Sequence, residues 1–263
     1  MRGNIIIIMA GGLGKRMNSS VPKVLHKILS KPMLVHVIQQ AELLSPQKIL
    51  IVVGKYKDII ERTLREYISL DKIEFIIQSE ALGTGHAIQC CRDSLLQYDD
   101  TNVLILSGDT PLLQSTTIID MLIGFDVAKI VTTRMDIPTG YGRIIETNGF
   151  FDKIVEEKDC SIEQKLVKNV NCGVYAFDTK ILCKYLPLLT NQNAQNEYYL
   201  TDIIELIKNG EKIHIDLYDI PIKQQREITG VNTIEQLLEL EEMITPESLC
   251  HNADFSERWS YHY

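Results

Sequence analysis

Apolar residues along the chain fall into two alternating patterns. Residues 4–9 form a continuous apolar run rich in isoleucine, the pattern of a strand buried on both faces of a parallel sheet. Similar runs recur at 49–54, 73–78, 103–107 and 128–133. Between them the spacing is helical: in 33–44 the apolar positions are 33, 34, 37, 38, 41 and 44, and 58–68 and 85–96 follow suit. A further helix, 115–122, opens after a proline turn. Strands alternating with helices predict an α/β fold, a Rossmann-like and mostly parallel sheet flanked by helices on both faces.

Beyond residue 136 the pattern changes. Gly140, Gly142 and Gly149 punctuate short strands expected at 142–146 and 153–157, and 171–177 reads as another. These predict a small antiparallel lobe built onto the first sheet. Helices are expected at 197–208, capped by Asn196 with Tyr198, Leu200, Ile203, Ile204 and Ile207 inward, and at 233–243. Of the tyrosine pair, one of Tyr198 and Tyr199 is expected in the core and the other beside a ligand. Residues 245–263 are polar and aperiodic, which predicts a loosely packed tail. There is no internal repeat, and no hexapeptide period of the kind that builds a left-handed β-helix.

Composition narrows the class. At 263 residues the chain fits one large domain or two small ones, at roughly 150 residues each. With 45% hydrophobic and 24% charged residues it reads as a soluble globular protein with a substantial core. No uncharged apolar stretch is long enough for a transmembrane helix. The run at 5–9 is too short for a signal-peptide core and leads straight into a glycine-rich loop. The six cysteines form neither a CxxC pair nor a dense framework, so a reducing, cytoplasmic compartment is expected. The six histidines lack ligand spacing, so no zinc site is expected, and no cysteine is paired with a base for covalent catalysis.

Charge is distributed unevenly. The formal net charge is −8, yet residues 1–41 carry +6 with no acidic residue, leaving −14 on the other 222. An acidic chain with one basic, glycine-rich end suits a small polyanion better than a nucleic-acid backbone, and no membrane partner is implied. A solvated basic helix is the alternative.

The chemistry concentrates first in Met9-Ala10-Gly11-Gly12-Leu13-Gly14-Lys15-Arg16-Met17, directly after the first expected strand. Ligands of open α/β sheets bind at the carboxyl ends of strands. Glycines there bring backbone N–H groups close to phosphate oxygens. The spacing matches neither GxGxxG nor GxxxxGK[ST]. Arg16 follows in the loop and Pro22-Lys23 lies seven residues further on.

GGLGKRM with VPKVLHKILSKPMLVHVI (21–38) resembles the signature region of the sugar-1-phosphate nucleotidylyltransferases. The resemblance is greatest to the uridyltransferase half of the bacterial bifunctional N-acetylglucosamine-1-phosphate uridyltransferase/glucosamine-1-phosphate acetyltransferases. It continues in order through QSEALGTGHAI (78–88), LSGDTPLL (106–113), PTGYGRI (138–144), VEEKDC (155–160), NVNCGVY (169–175), NAQNEYYLTDII (193–204) and GVNTIEQL (230–237). It implies the nucleotide-diphospho-sugar transferase fold and a nucleotidyltransferase domain over 1–244. The nucleotide-binding part would span about 1–133 and the sugar-binding part about 134–232, with 245–263 as the tail. The length leaves little room for more, so the acetyltransferase domain is expected to be absent; oligomeric state stays open.

By resemblance the substrates are UTP and N-acetylglucosamine 1-phosphate, the products UDP-N-acetylglucosamine and pyrophosphate, and the cofactor Mg²⁺. Arg16 and Lys23 would be catalytic, facing the triphosphate as a forked donor and a point charge. Ala10, Gly11, Gly12, Gly14, Gln78, Gly83, Thr84 and Asp109 would bind the nucleotide. Gly142, Glu156, Asn171 and Thr201 would contact the sugar, and Asp109 with Asn232 would hold the metal through oxygen.

Taken alone, several of these residues allow plainer readings. Arg16 and Lys23 fit exposed surface cations, and Glu156 a surface charge. Asp109 fits a capping aspartate before a proline turn, Asn232 a helix N-cap, and Gln78 a solvent-facing strand end. The chain also departs from the family pattern. It has Met9-Ala10-Gly11-Gly12 for Leu-Ala-Ala-Gly, Lys15 where threonine is common, Ser107 where tyrosine is frequent, and Asn232-Thr233 for Asn-Asn. Glucose 1-phosphate with UTP or dTTP is the alternative substrate pair, and a non-catalytic nucleotide-sugar sensor the alternative class.

Overall fold

The computed structural model describes residues 2–12, 14–98 and 100–244. Eleven strands and nine α-helices follow one another in these residues. The first half runs β1 (Gly3–Met9), β2 (Lys27–Ile28), β3 (Lys31–Pro32), α1 (Met33–Glu42), β4 (Lys48–Val53), α2 (Lys57–Leu64), β5 (Ile73–Ile77), α3 (Thr84–Gln89), α4 (Arg92–Leu95), β6 (Thr101–Ser107), α5 (Ser115–Leu122) and β7 (Ala128–Arg134). The second half runs β8 (Arg143–Thr147), β9 (Phe150–Val155), α6 (Ile162–Lys165), β10 (Asn169–Asp178), α7 (Thr179–Tyr185), α8 (Asp202–Glu211), β11 (Asp216–Asp219) and α9 (Ile234–Ile244). The main sheet has the order β11-β7-β10-β6-β1-β4-β5, and the β8–β9 hairpin joins it through β10. β2 and β3 form a separate small hairpin.

The five apolar runs are strands β1, β4, β5, β6 and β7 of this sheet, and the side-chain period of two explains their continuity. In β1, Ile5 and Ile7 enter the core beneath α3, α7 and α8, while Ile6 and Ile8 enter the core beneath α1, α2 and α5. All four are 0% exposed. A strand covered on both faces has no polar side, and each such isoleucine contributes about 1.5–3 kcal/mol of burial.

The fold class is as expected from the pattern, and several details differ. Residues 171–177, expected in the lobe, belong to β10, which wedges antiparallel between β6 and β7 in the main sheet. Its two faces are both apolar: Cys172, Val174 and Ala176 on one side, Tyr175 and Phe177 on the other. The second hairpin strand begins at Phe150 rather than 153. Asn148 and Gly149 both have positive φ, 54° and 79°, the two-residue turn that an Asn-Gly pair favours between twisted strands.

The helix expected at 197–208 starts only at Asp202. Tyr198 cannot join it, because its N–H donates to Leu82 O at 2.8 Å and its carbonyl accepts from Gly85 N at 2.7 Å. Asn196 is no cap; it sits in a turn at φ 55°. The helix expected over 85–96 is broken into α3 and α4 at Cys90 and Cys91, with Ile88 and Leu95 buried in one core. Strand β11 and helix α7 have no counterpart among the expected elements. The expected 245–263 tail lies outside the described residues. No helix of the described residues is long and apolar enough to cross a membrane.

Candidate active site

The carboxyl ends of β1, β4, β5 and β6 point to one edge of the sheet, and two adjoining cavities open there. The first, about 300 Å³, is lined by Ala10, Gly11, Gly12, Lys23, Gln78, Gly83, Thr84, Ser107, Asp109 and Glu197, among others. The second, about 390 Å³, is lined by Arg16, Thr84, Ser107, Asp109, Tyr141, Gly142, Glu156, Asn171, Tyr175, Thr201 and Asn232, among others. Met9, Thr84, Ser107 and Asp109 line both. Gly12, Gly14, Arg16, Lys23 and Asn232 surround an outer mouth. The residues expected to be catalytic or to bind nucleotide, sugar or metal thus all line this connected space, whereas the tyrosine expected beside a ligand does not.

The glycine loop is tied to the sheet by Ala10 N donating to Val52 O at 2.8 Å. A Cβ on Gly12 would meet nothing within 4 Å, so the backbone here faces open space. Gly14 sits at φ +59°, and a Cβ there would lie 2.8 Å from Lys23 Cβ. The bend brings Lys23, at the start of a short 3-10 helix anchored by buried Val24 and Leu25, beneath the loop.

Lys23 is mostly buried, 14% exposed at its side chain, and pairs with Oδ2 of Asp109, 15% exposed. Its ammonium also donates to Oδ1 of Asn232 at 3.1 Å, and Arg16 donates to that same oxygen at 3.0 Å. Ser107 Oγ donates to the other Asp109 oxygen, Oδ1, at 2.7 Å. Asp109 therefore faces a cation and is no turn cap. Asn232 is no helix cap either: Thr233 Oγ1 accepts from Gln236 N at 3.2 Å, and Gln236 Oε1 accepts from Asn232 N at 2.8 Å. Threonine at 233 caps α9, which leaves the Asn232 amide free to face the cations.

Gln78, 9% exposed, is likewise not solvent-facing. Its amide nitrogen donates to Gly83 O at 3.0 Å and lies 3.2 Å from His86 Nδ1. Its oxygen is left toward Gly11. Gly83 has φ +111°, and a Cβ there would clash with Tyr198 O at 2.5 Å. Thr84 Oγ1 accepts from Leu200 N at 3.1 Å.

In the second cavity Thr201 donates to Glu156 Oε1 at 2.9 Å, and Asn171 Nδ2 donates to Tyr175 OH at 2.7 Å. A Cβ on Gly142 would sit 3.6 Å from Glu156 Oε2 and 3.0 Å from Ile154, so its absence keeps this wall open. Burial pushes the Glu156 carboxyl up, against the Thr201 hydrogen bond and with help from Asp159. Asp202, at the start of α8, is pushed up to about 6 by burial first and by Glu156, Glu205 and Asp159 next.

Sequence reading missed the residues that hold these groups in place. Asp159 accepts from Tyr199 OH at 3.0 Å and from Ala194 N at 2.9 Å, fastening the 193–201 segment to the second cavity. Tyr199 is buried and Tyr198 half-buried, and neither lines either of the two cavities. Arg143, 1% exposed, pairs with Glu157 at 2.6 Å, and Glu157 also accepts from Gly140 N. The VEEKDC block places Glu157 and Asp159 beside Glu156, the one available signal for them.

A divalent ion has a two-oxygen donor set here, the Asp109 carboxylate and the Asn232 carbonyl. Both already face one cation, Lys23. Hard oxygen donors few in number suit magnesium, which keeps waters and phosphate oxygens in its octahedron. Among the described residues no group of three or more His, Cys, Asp or Glu could hold a metal.

Comparison with known proteins agrees with this geometry. Residues 6–138 match the family model described as the MobA-like NTP transferase domain. The chain is 41% identical over 237 residues to the "Probable UDP-N-acetylglucosamine pyrophosphorylase" of Acanthamoeba polyphaga mimivirus, covering 88% of this chain and 92% of that one. It is 39% identical over 250 residues to the bifunctional protein GlmU of Thermoanaerobacter pseudethanolicus, covering 93% of this chain and 52% of that one. The chain thus spans about half the length of such bifunctional relatives. A UDP-glucose pyrophosphorylase solved with UDP-glucose shares the fold, with a TM-score of 0.70 at 16% identity over 92% of this chain and 98% of that one. A glycine loop at the carboxyl edge of a mostly parallel sheet, Lys23 beside it facing the Asp109 carboxylate, and the match across residues 6–138 agree: the chain belongs to the MobA-like NTP transferase family.

Proposed function

We propose that the protein transfers a uridylyl group from UTP to N-acetylglucosamine 1-phosphate, giving UDP-N-acetylglucosamine and pyrophosphate. The observation that carries this reading is the pair of cavities meeting at Thr84, Ser107 and Asp109, with Arg16, Lys23 and Asn232 at the junction. A two-substrate transfer between phosphates needs two sites whose charged ends meet. The mimivirus relative's name supports the choice of sugar and nucleotide.

In this reading residues of about 1–133 hold UTP and those of about 134–232 hold the sugar phosphate. Ala10, Gly11, Gly12 and Gly14 line the triphosphate with backbone. Gln78, with its nitrogen held by Gly83 O, offers its oxygen to the uracil edge, and Gly83 and Thr84 complete the base site. Gly142, Glu156, Asn171 and Thr201 take the hydroxyl and acetamido groups of the sugar.

The attacking oxygen belongs to a phosphate already ionised at neutral pH, so no general base is required. A bond forms from that oxygen to the α-phosphorus while the bond to the bridging oxygen of the β-phosphate breaks, and pyrophosphate leaves with the electron pair. Arg16 and Lys23 stabilise the charge that gathers on the phosphoryl oxygens, and the two cavities hold nucleophile and phosphorus in line. Asp109 and Asn232 would hold Mg²⁺, which when bound neutralises phosphate charge. A cytoplasmic setting belongs to the same reading.

Pyrophosphate release from purified protein, measured across UTP, dTTP and other nucleotides against N-acetylglucosamine 1-phosphate and glucose 1-phosphate, tests it. The highest kcat/KM is expected for UTP with N-acetylglucosamine 1-phosphate. Preference for glucose 1-phosphate or dTTP would reassign the substrates, and no turnover of any pair would leave a nucleotide-sugar sensor.

A further inference from the structure

The two oxygens suited to a divalent ion are both occupied by the protein's own cations. Asn232 Oδ1 has two lone pairs, and it accepts from Arg16 at 3.0 Å and from Lys23 at 3.1 Å. Asp109 Oδ2 carries the same Lys23 ammonium, and Oδ1 takes the Ser107 hydroxyl. The backbone holds this arrangement together, because Val231 N donates to Asp109 O at 2.9 Å. That bond fixes the Asn232 segment against the end of β6.

We propose that Lys23 is a resident cation of the Asp109–Asn232 pair, so that the free protein excludes divalent ions until a polyphosphate draws Lys23 away. The inference rests on the metal assignment in the proposed function. Magnesium takes oxygen ligands at about 2.0–2.1 Å, closer than an ammonium's hydrogen-bond distance. An ion held by these two oxygens would have to take the place beside them that the Lys23 nitrogen occupies. Two cations cannot share it, since their repulsion in a mostly buried site is poorly screened.

A triphosphate resolves the conflict by its own charge. Bound at the outer mouth lined by Gly12, Gly14, Arg16 and Lys23, it would offer phosphate oxygens to both cations. Once Arg16 and Lys23 turn to them, the Asn232 lone pairs and Asp109 Oδ2 become free together. Nucleotide and metal then enter as linked ligands, and the free protein avoids an unpaired buried carboxylate without holding a metal.

Binding of Mn²⁺ to the nucleotide-free protein, followed by the loss of the free-ion electron paramagnetic resonance signal, tests this without any turnover. Wild type is expected to bind weakly. Lys23→Met, which keeps the stem and removes the charge, is expected to bind at least tenfold more tightly. The double variant Lys23→Met, Asp109→Asn is expected to lose that gain, and far-ultraviolet circular dichroism checks that both variants fold. Equal Mn²⁺ affinity in wild type and Lys23→Met, or a gain that survives loss of the Asp109 charge, overturns the proposal. Either result leaves the substrate panel above to judge the reaction by itself.

Discussion

Thr201 donates its hydroxyl to Oε1 of Glu156 across 2.9 Å, although 45 residues separate them. The segment that ends at Thr201 also carries Tyr198, bonded to the 82–85 turn of the first cavity. One stretch of chain thus touches both compartments, and its last side chain fixes the orientation of a half-buried carboxyl.

Removing that hydroxyl separates the two compartments in a kinetic experiment. Thr201→Val keeps the volume and deletes a hydrogen bond to a charged acceptor, worth about 1.5 kcal/mol. The KM for the sugar phosphate is expected to rise about tenfold, with the KM for UTP within twofold of wild type. Equal rises in both would assign Thr201 to the frame of the whole site instead.

The cap and the proposed metal ligand at the start of α9 are separable as well. Thr233→Ala should cost about 1 kcal/mol of stability, read as a lower urea midpoint, while turnover stays near normal. Asn232→Ala should do the reverse, because it leaves the cap and removes the acceptor shared by Arg16 and Lys23. Asp109→Asn should lower kcat by about three orders of magnitude in a protein whose circular dichroism is unchanged. Near-normal turnover by Asp109→Asn would overturn its proposed role as a metal ligand.

Asp202 makes stability depend on pH. Its folded value, pushed up from 3.8 to about 6, means the native state keeps a proton that the unfolded chain has released between those values. Stability therefore falls as pH rises through this window, and the penalty is complete above about pH 6. Asp202→Asn is expected to stabilise the protein by about 1–2 kcal/mol at pH 7.5, after allowance for partial exposure, and by little near pH 4. Thermal melts at the two pH values check it; a gain of equal size at both would rule out the carboxyl as its source.

Gly83 allows little substitution. Its φ of +111° and a Cβ position 2.5 Å from Tyr198 O strain any L side chain and push against backbone. Gly83→Ala is expected to cost about 2–4 kcal/mol and to weaken UTP binding in titration calorimetry, since Gly83 O holds the Gln78 amide. A variant that binds UTP normally would dissociate this turn from the base site.

Much of the fold was legible because each strand of the parallel core is hydrophobic in its own right. Runs such as 4–9 and 103–107 need covering on both faces wherever they lie, so local composition announces them. β11 escaped because it is a half-exposed edge strand reading Asp-Leu-Tyr-Asp, with no run to detect. The late start of α8 escaped for a different reason. Residues 197–201 have a helical pattern, and only bonds to the 82–85 turn withdraw Tyr198 from the helix.

The candidate site divides the same way. The ordered motifs of the sequence, through their resemblance to a known family, singled out the candidate groups: a glycine loop, Arg16, Lys23, Asp109, Glu156 and Asn232. What they touch was decided by tertiary structure alone. Lys23 and Asn232 lie 209 residues apart, and their contact is held by Val231 being bonded to Asp109 at the end of β6. Periodicity reports how each segment is covered, since burial follows from the segment's own side chains. Which segments cover one another follows from register and packing across the whole chain, and those are fixed only when the core closes.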